Sequence, residues 1–458
     1  MENRKAKKHP KLVAALIETF GFSPALASAV ALVVIVIGVG AVIWVVRSAP
    51  PRTMVLTSGP PGSSFQRYAE SYQKLLATHG VTLEVVPSDG SLDNLQRLQG
   101  TDSKADIGFV QGGLAKDTDV TRLISLGSVA YQPLWLFYRS PATLTRLSEL
   151  TGLRVAVGAP GSGTRALALA LLLANGITGA PTTFLDLDSE AAANGLLEGK
   201  LDAVFLMGDS ASQQTLRSLV RGTGIQLFNF SQADAYIRRF AFLNKMRLPE
   251  GSIDLGRNLP SEDVVLVGPT VELVARKNLN SALSDLLLEV AQEVHGKAGL
   301  LQKRGEFPSA LEHEIVISDD AQRYYKSGKS FLYRAIPSFW IANLFNRLLV
   351  VIVPLILVLI PALRLFPVLY RWSIQLRIYR CYRPLLRLER DAFGPLTAER
   401  VRELLAQIDE VEEAVSHVRV PASFASQFYE LQGHLAFVRR RLESAKLTGD
   451  VQATSLKS

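Results

Sequence analysis

The sequence predicts an α/β domain that lies between two membrane-spanning helices and is followed by a helical tail. Three observations carry this prediction. Two long uncharged stretches divide the chain, short β-branched runs alternate with helix-like segments between them, and apolar residues recur at helical spacing after the second stretch.

The positive charge of the chain is concentrated beside its apolar stretches. Residues 1–24 carry 5 Lys/Arg against 2 acidic residues, residues 364–458 carry 15 against 11, and residues 47–363 carry 30 against 29. A nucleic-acid-binding protein concentrates positive charge on a folded surface, whereas basic flanks are typical of membrane spans. We therefore expect a lipid bilayer, and no nucleic acid, as a partner.

The first predicted span is residues 25–46, which are 22 residues without a charge. A helix of this length crosses about 30 Å of hydrocarbon. The basic residues before it place residues 1–24 in the cytoplasm. A cleaved signal peptide is the alternative, but such peptides have apolar cores of about 7–15 residues and a small-residue cleavage site. The longer core and the sequence Val46-Arg47-Ser48 favour an uncleaved anchor.

The second predicted span is residues 342–368, centred on Leu348–Leu363. Pro354 and Pro361 lie inside it, and membrane helices tolerate proline because neighbouring groups satisfy the released carbonyl groups. The alternative is a buried core helix, but seven arginines follow between residues 364 and 390. Both spans then have their basic side in the cytoplasm of a bacterial inner membrane. Residues 50–336 are therefore expected in the periplasm, and residues 371–458 form a cytoplasmic tail.

Between the spans, strand-like runs alternate with helix-like segments. The predicted strands are Thr53–Thr57, Val81–Pro87, Ile107–Val110, Leu134–Tyr138, Arg154–Val157, Ala203–Leu206 and Val264–Val267. The predicted helices include Phe65–Thr78, Leu92–Gln99, Arg165–Ala174, Ser189–Glu198 and Leu279–Glu293. This alternation predicts parallel sheets covered by helices, which bind ligands beyond the carboxyl ends of the strands.

Two glycine- and hydroxyl-rich loops follow predicted strands and open predicted helices. The first is Thr57–Ser64, and the second is Gly158–Thr164. Glycine lets the backbone approach a ligand, and hydroxyls beside the N–H groups of a helix N-terminus form an anion site. Gly158 and Gly163 have the spacing of a phosphate-binding P-loop, but Thr164 and Arg165 stand where its Lys and Ser/Thr belong, so nucleotide binding is not expected.

The order of motifs resembles the TAXI family of solute-binding proteins, which serve tripartite ATP-independent periplasmic (TRAP) transporters. The resemblance covers about residues 52–300. It rests on TSGPPGSSFQRYA (57–69), GSLDNLQRL (90–98), ADIGFVQ (105–111), LTGLRVAVGAPGSGTRALALALLLANGI (150–177), EGKLDAVFLMGD (198–209) and LPSEDVVLVGPTVELVARKNL (259–279).

The resemblance implies a bilobal periplasmic-binding-protein fold of the Venus-flytrap type. Lobe one would comprise residues 52–136 and 240–335, and lobe two residues 137–239. The family's ligands are acidic amino acids and related carboxylates, which it hands to a membrane permease. The resemblance thus implies a TRAP-type permease and a small anionic solute as partners, without a cofactor.

The resemblance also assigns candidate ligand-binding residues. They are Ser58, Gly59, Gly62, Ser63, Ser64, Asn94, Gln111, Tyr131, Gly161, Ser162, Gly163, Thr164 and Asp209. The chain departs from the family pattern at Pro60, Pro61, Ser64 and Phe65, where glycine and tyrosine are usual. Phe65 has no hydroxyl with which to bind a ligand.

Neither a metal site nor a catalytic site is predicted. Cys381 is the single cysteine, and His295 and His313 lack neighbours at metal-ligand spacing. The sequence shows no Ser/His/Asp or Cys/His set in a recognisable order, which argues against an enzyme.

The tail carries two apolar stripes at helical spacing. The first is Val401, Leu404, Ile408, Val411, Val415 and Val418, and the second is Phe424, Phe428, Leu431, Leu435, Val438 and Leu442. Thr397 is a candidate N-cap for the first, while Pro421 and Ser423 separate the two. The stripes predict an antiparallel helical hairpin, which could bury them internally or pair with a second copy in a homodimer.

Two functions remain open from the sequence. The chain is either an anchored receptor that captures a small anionic solute for transport, or a transmembrane sensor that signals to its cytoplasmic hairpin. The family resemblance favours transport, whereas the second span and the paired stripes favour sensing.

Overall fold

The computed structural model describes residues 10, 13–14, 24–115, 118–311, 314–393, 397–416 and 425–455. The chain forms two compact units, one of residues 49–346 and the other of the described residues before 49 and from 347 onward. The basic residues of 1–9, His313, Val418, Pro421, Ser423 and Phe424 lie outside the described residues.

The chain begins with helix α1 (Pro24–Arg47) and then enters the α/β unit. Its first part contains β1 (Thr53–Thr57), α2 (Ser64–Thr78), β2 (Thr82–Val86), α3 (Ser91–Gln99), β3 (Ile107–Gln111) and β4 (Leu123–Tyr131). Its middle part contains β5 (Trp135–Tyr138), β6 (Arg154–Ala156), α4 (Gly163–Ala174), β7 (Thr183–Leu185), α5 (Ser189–Leu197), β8 (Ala203–Leu206), α6 (Gln213–Val220) and β9 (Gln226–Leu227). Its last part contains α7 (Ala233–Arg239), β10 (Leu243–Leu248), β11 (Val264–Arg276), α8 (Ser281–His295), α9 (Asp319–Ser327) and α10 (Phe331–Ala335).

The first lobe is built on the sheet β10-β11-β3-β1-β2, with β4 paired to β11. Strand β1 is parallel to β2 and β3, and β11 is antiparallel to β3. Helices α2 and α8 cover this sheet and bury Phe65, Tyr72 and Leu287 against Phe109. The parallel strands thus direct their carboxyl ends, at Thr57 and Gln111, toward the same edge.

The second lobe is built on the sheet β7-β6-β8-β5-β9. Strand β6 is parallel to β7 and β8, whereas β5 is antiparallel to β8 and β9. Helix α4 packs on one face through Leu167 and Leu171, and α5 packs on the other through Leu196. Two sheets with separate cores therefore form a mixed α/β bilobal fold of the periplasmic-binding-protein type, as predicted.

The crossover segments are shared between the two lobes. Strand β5 starts at Trp135 and pairs with β8 in the second sheet, so residues 135–136 belong to the second lobe. Leu243 and Met246 of β10 and Leu266 of β11 also pack in the second lobe's cores. The 13-residue strand β11 contributes its first part to one lobe and its second part to the other.

Helix α11 (Phe339–Ala392) runs without a break through Pro354 and Pro361. Helices α12 (Ala398–Ser416) and α13 (Ala425–Ser455) follow it. The predicted stripes meet in one core, in which Leu404, Ile408, Leu431 and Leu435 are buried. Thr397 caps α12, since its hydroxyl oxygen accepts from the Arg400 N–H at 3.3 Å.

The tail core contains a third helix that the predicted hairpin lacked. Ile374, Ile378, Leu385 and Leu388 of α11 are buried against both stripes. The last five turns of α11 therefore complete a three-helix arrangement within one chain. A helix of 54 residues is longer than a membrane requires, so its end remains available for packing.

Among the residues that the structure describes, two helices are long and apolar enough to cross a membrane, by length and composition alone. They are Ala27–Arg47 and Phe339–Ala362. Their side chains are mostly exposed, which distinguishes them from a buried core helix.

Candidate functional site

The candidate site lies where the carboxyl ends of strands from the two lobes face each other. Helix α4 begins there with the N-cap Ser162, whose hydroxyl oxygen accepts from the Arg165 N–H at 3.1 Å. Gly161 adopts a positive φ of 81°, which turns the loop into the helix. The N–H of Gly163 and the hydroxyl of Thr164 thereby point into the space between the lobes as hydrogen-bond donors.

The acceptor of these donors is the side chain of Asp209, which follows β8. Asp209 Oδ2 accepts from the Gly163 N–H at 2.6 Å, and Oδ1 accepts from the Thr164 hydroxyl at 2.8 Å. The Ser210 hydroxyl donates to Oδ1 at 3.0 Å, and the Ser91 N–H donates to Oδ2 at 3.5 Å. Both carboxylate oxygens therefore accept two hydrogen bonds each from these groups.

Asp209 is fully buried, and this burial raises the pKa of its carboxyl. The Thr164 hydroxyl, the Gly163 N–H and the Ser210 hydroxyl lower the pKa in turn, because they stabilise the charged form. Two helix N-termini, those of α3 and α4, add partial positive charge at the same point. The donors at these helix N-termini are thus engaged by a carboxylate side chain of the same chain.

The first glycine-rich loop approaches the site through its backbone. A Cβ added to Gly59 would lie 2.7 Å from the Asp209 carbonyl oxygen, so any larger residue would clash there. Ser63 is the buried N-cap of α2, and its hydroxyl oxygen accepts from the Gln66 N–H at 3.2 Å. The Gly62 N–H donates to Gln66 Oε1 at 2.5 Å. The Ser63 hydroxyl and the Gly62 N–H therefore shape the loop through hydrogen bonds within lobe one.

Several hydrogen bonds join the lobes across the cleft. The Ser64 N–H donates to the Gly208 carbonyl oxygen at 2.8 Å, and the Asp93 N–H donates to the Gly161 carbonyl oxygen at 3.0 Å. Gln111 Nε2 donates to the Gly163 carbonyl oxygen at 3.0 Å. The lobes are thus closed upon each other around Asp209.

The second amide atom of Gln111 lies beside this contact. Gln111 is 2% exposed, and its Oε1 has no hydrogen-bond partner among the described residues. A Cβ added to Gly163 would lie 2.2 Å from Oε1, which places this acceptor against the start of α4. A buried acceptor in this position is suited to a donor group on a bound solute.

Asn94 and Ser58 have internal roles in the structure. Asn94 Nδ2 donates to the carbonyl oxygens of Ser58 and Phe109 at 2.6 and 2.9 Å, and its Oδ1 accepts from the Thr57 hydroxyl at 2.6 Å. The Ser58 N–H donates to the Val86 carbonyl oxygen at 3.0 Å. These buried bonds hold α3 to β1 and β3, and they position the N-terminus of α3 beneath Asp209.

Two further sequence positions lie away from the carboxylate. The Tyr131 hydroxyl donates to Glu306 Oε1 at 2.8 Å, and burial followed by this hydrogen bond raises its pKa to about 12. Phe65 is fully buried in the core of lobe one, 5.5 Å from the Phe109 ring. The missing hydroxyl at Phe65 is therefore explained by packing, because no polar group is needed in that core.

Sequence reasoning missed Ser91, Ser210 and the Gly90 backbone. Gly90 has a φ of 129°, and a Cβ added there would lie 2.8 Å from Asp209 Oδ2. Gly90 and Ser91 open the motif GSLDNLQRL, and Ser210 directly follows the motif that ends at Asp209. The signal that could have found them is the second helix N-terminus, because Ser91 opens α3 as Gly163 opens α4.

Two α/β lobes joined by crossover strands, with polar helix N-termini converging between them, define the class of bilobal periplasmic-binding-protein-like domains. The chain belongs to the NMT1-like family, whose model matches residues 59–325.

Solved structures with a similar fold include binding domains from several systems. An ancestral arginine-binding protein bound to arginine is 17% identical in sequence. The match covers 54% of this chain and 93% of that protein, with a TM-score of 0.34. The periplasmic aliphatic sulphonate binding protein SsuA from Escherichia coli is 14% identical. The match covers 65% of this chain and 79% of SsuA, with a TM-score of 0.32. The CcmR regulatory domain of Synechocystis PCC6803 in complex with 2-PG is 12% identical. The match covers 53% of this chain and 97% of that domain, with a TM-score of 0.36.

Proposed function

We propose that this protein is a membrane-anchored, extracytoplasmic receptor that captures a small anionic solute between its lobes. The observation that carries this proposal is the convergence of the Gly163 N–H, the Thr164 hydroxyl and the Ser91 N–H on one carboxylate. Donors at two helix N-termini favour a negatively charged group and disfavour a cation. The solute class that fits is a carboxylate, such as an acidic amino acid.

The acceptor Gln111 Oε1 narrows the class of solute. A solute with only carboxylate groups leaves this buried oxygen unpaired, whereas an ammonium or hydroxyl group can donate to it. An unpaired buried acceptor costs about 1–3 kcal/mol. This supports an amino acid or hydroxy acid over a plain dicarboxylate.

The proposed destination of the solute is a TRAP-type permease in the bacterial inner membrane. The support is the collinear likeness to the TAXI family over residues 52–300, together with two helices of membrane-spanning length. Basic residues on the same side of both spans support a periplasmic location for residues 50–336 and a cytoplasmic location for both termini. An anchored receptor stays within the plane of its permease, whereas a secreted one must diffuse to it.

A transmembrane sensor is the second candidate, and a specific observation favours it. Helix α11 is continuous from Phe339, whose side chain packs in the core of lobe one, to residues that pack in the tail core. A continuous helix can transmit a rotation or translation from one end to the other. In this reading, solute binding changes the packing of α12 and α13.

The first test measures thermal unfolding of the full chain in detergent against acidic amino acids, hydroxy acids, dicarboxylates, sugars and polyamines. A ligand at 100 times its Kd adds about 2.7 kcal/mol of stability. We expect the acidic amino acids and hydroxy acids to raise the midpoint more than the dicarboxylates, and Thr164→Val to abolish the rise. Thr151→Val is the matched control, because the Thr151 hydroxyl is exposed and bonds the Ser148 carbonyl oxygen. A rise with polyamines or sugars alone would contradict the proposal.

Two further measurements separate transport from sensing. Co-purification of the intact chain with a multi-span permease, retained in detergent, supports transport. A solute-dependent change in cross-linking between α12 and α13 supports sensing. The two results can both occur, since a receptor that docks on a permease can also report its occupancy.

A further inference from the structure

Asp209 occupies the place that a carboxylate solute needs. Its side chain is 0% exposed, and the donors around it come from both lobes. Gly163, Thr164 and Ser210 belong to lobe two, as does Asp209, whereas Ser91 belongs to lobe one. A solute carboxylate at the start of α4 would have to take the same N–H and hydroxyl groups.

The fit around this side chain is tight. A Cβ on Gly90 would lie 2.8 Å from Asp209 Oδ2 and 3.2 Å from Ser162 Cα. The glycine at position 90 therefore lets lobe one close directly on the carboxylate. Hydroxyls and amides, with Thr164 first among them, offset the cost of burying the charge. Geometry and hydrogen bonding together are those of a bound ligand.

We propose that Asp209 is a resident carboxylate that competes with the solute for the anion site and so determines which solutes bind. This inference rests on the proposed function of that site. A tethered group acts at an effective concentration of about millimolar or more. A solute that offers one carboxylate and nothing else, such as formate or acetate, therefore cannot displace Asp209 at ordinary concentrations.

Solutes that do bind must gain from additional contacts. Gln111 Oε1 is such a contact, because it lies beside Gly163 and lacks a partner among the described residues. A solute that pairs with this oxygen and also replaces the Asp209 carboxylate recovers the hydrogen bonds that displacement breaks. Asp209 thus selects against simple anions that share only the carboxylate with the solute.

The test compares formate and acetate binding to the full chain and to Asp209→Ala by calorimetry in detergent. Removing the resident carboxylate leaves its donors unpaired and opens a space for a small carboxylate. We expect Asp209→Ala to bind formate at least about tenfold more tightly than the wild type, with a midpoint of unfolding that formate restores. The matched control is Asp234→Ala, since Asp234 is an exposed aspartate of the second lobe paired with Lys245.

A second variant covers the case in which Asp209→Ala does not fold. Asp209→Asn keeps the size of the side chain and one acceptor oxygen for the Gly163 and Ser91 N–H groups, while its uncharged NH2 group turns to the Thr164 and Ser210 hydroxyls. We expect it to fold, as circular dichroism would show, and to bind formate more tightly than the wild type. Equal formate affinity in the wild type and in the folded variants would overturn the inference.

The outcomes also separate this inference from the proposed function. If the variants gain formate affinity while no carboxylate in the panel binds the wild type, the inference about Asp209 is supported and the proposed capture of a carboxylate solute is contradicted. If a panel carboxylate binds the wild type but the Asp209 variants gain no formate affinity, the proposed capture of a carboxylate solute is supported and the inference about Asp209 is contradicted.

Discussion

The Thr57 hydroxyl donates a hydrogen bond to the side-chain oxygen Oδ1 of Asn94 at 2.6 Å. Its Nδ2 reaches the carbonyl oxygens of Ser58 and Phe109, so one buried amide links α3 to two neighbouring strands. The first glycine-rich loop and the start of α3 thereby keep a fixed relation to each other. The geometry around Asp209 depends on this brace.

Asn94→Ala is expected to destabilise the α/β unit by about 3 kcal/mol, because it removes three buried hydrogen bonds. Urea unfolding of the full chain in detergent, followed by tryptophan fluorescence, measures the change. Gln99→Ala on the same helix is the control, since its amide bonds an exposed carbonyl oxygen of Asp119. If Asn94→Ala kept full stability but lost solute binding, Asn94 would be a ligand contact instead of a brace.

Gly90→Ala is expected to separate the lobes. The added methyl group would meet Asp209 Oδ2 and the Ser162 backbone, so lobe one could not close on the carboxylate. Spin labels at Lys74→Cys on α2 and Gln214→Cys on α6, in a Cys381→Ser background, measure the interlobe distance. We expect a longer and broader distance distribution than in the parent chain.

Gly179→Ala is the matched control for this variant. Gly179 has a φ of 144°, similar to that of Gly90, but a Cβ there meets nothing within 4 Å. Both substitutions therefore impose backbone strain, and only Gly90→Ala adds the clash. The same distance distribution in both variants would show that the Gly90 contact does not limit closure.

Glu272 predicts a dependence of stability on pH. It is 2% exposed, and burial, followed by the charge of Glu314, raises its pKa from 4.5 to about 8, while a Ser125 hydrogen bond lowers it. The folded chain therefore retains a proton that the unfolded chain releases above its ordinary pKa. The contribution of Glu272 to stability must fall as the pH rises from 4.5 toward 8.

Glu272→Gln is expected to remove this loss and to be more stable than the wild type at pH 8. One pKa unit corresponds to about 1.4 kcal/mol, so the gain should be measurable by chemical unfolding at several pH values. Glu70→Gln, on the exposed face of α2, removes a glutamate charge at the surface and is the control. A wild-type pH slope that persists in Glu272→Gln would assign the slope to other groups.

Leu404→Ala is expected to loosen the tail without affecting the α/β unit. Leu404 is fully buried with Leu431 and Leu435, and truncation of a buried leucine costs about 2–5 kcal/mol. Hydrogen exchange should therefore quicken in α12 and α13 and stay unchanged in β3. Leu386→Ala is the control on α11, where the side chain is 42% exposed. Unchanged exchange in α13 would contradict a shared core.

The sequence predicts strongly patterned elements well. The structure has strands at Thr53–Thr57 and Ala203–Leu206, where they were predicted. Strand β4 was missed because Ser125, Gly127 and Ser128 interrupt its apolar pattern. These small residues are buried next to polar partners, such as Thr270 at 3.0 Å from the Ser128 hydroxyl, which only tertiary contact supplies.

The sequence indicates the hydrogen-bond donors at the start of α4, but it does not indicate that the Asp209 carboxylate accepts from them. Helix N-termini and hydroxyls follow from motif spacing, which is why Gly163 and Thr164 were candidates for anion binding. The pairing of Asp209 with the Ser91 N–H joins positions 118 residues apart, so it depends on how the lobes close. The extension of α11 into the tail core was missed because its apolar stripe follows the second long apolar stretch without a break.

The register of β11 against β4 shifts on both sides of Glu272. An interrupted ladder has fewer cross-strand bonds to resist twisting, so bending of this strand should concentrate there. Strand β3 pairs with β11 on its other side without a register shift, with Val110 opposite Glu272, so the irregularity lies within the first lobe's sheet. A charge on Glu272 therefore acts on the packing of β4 against β11 inside that lobe.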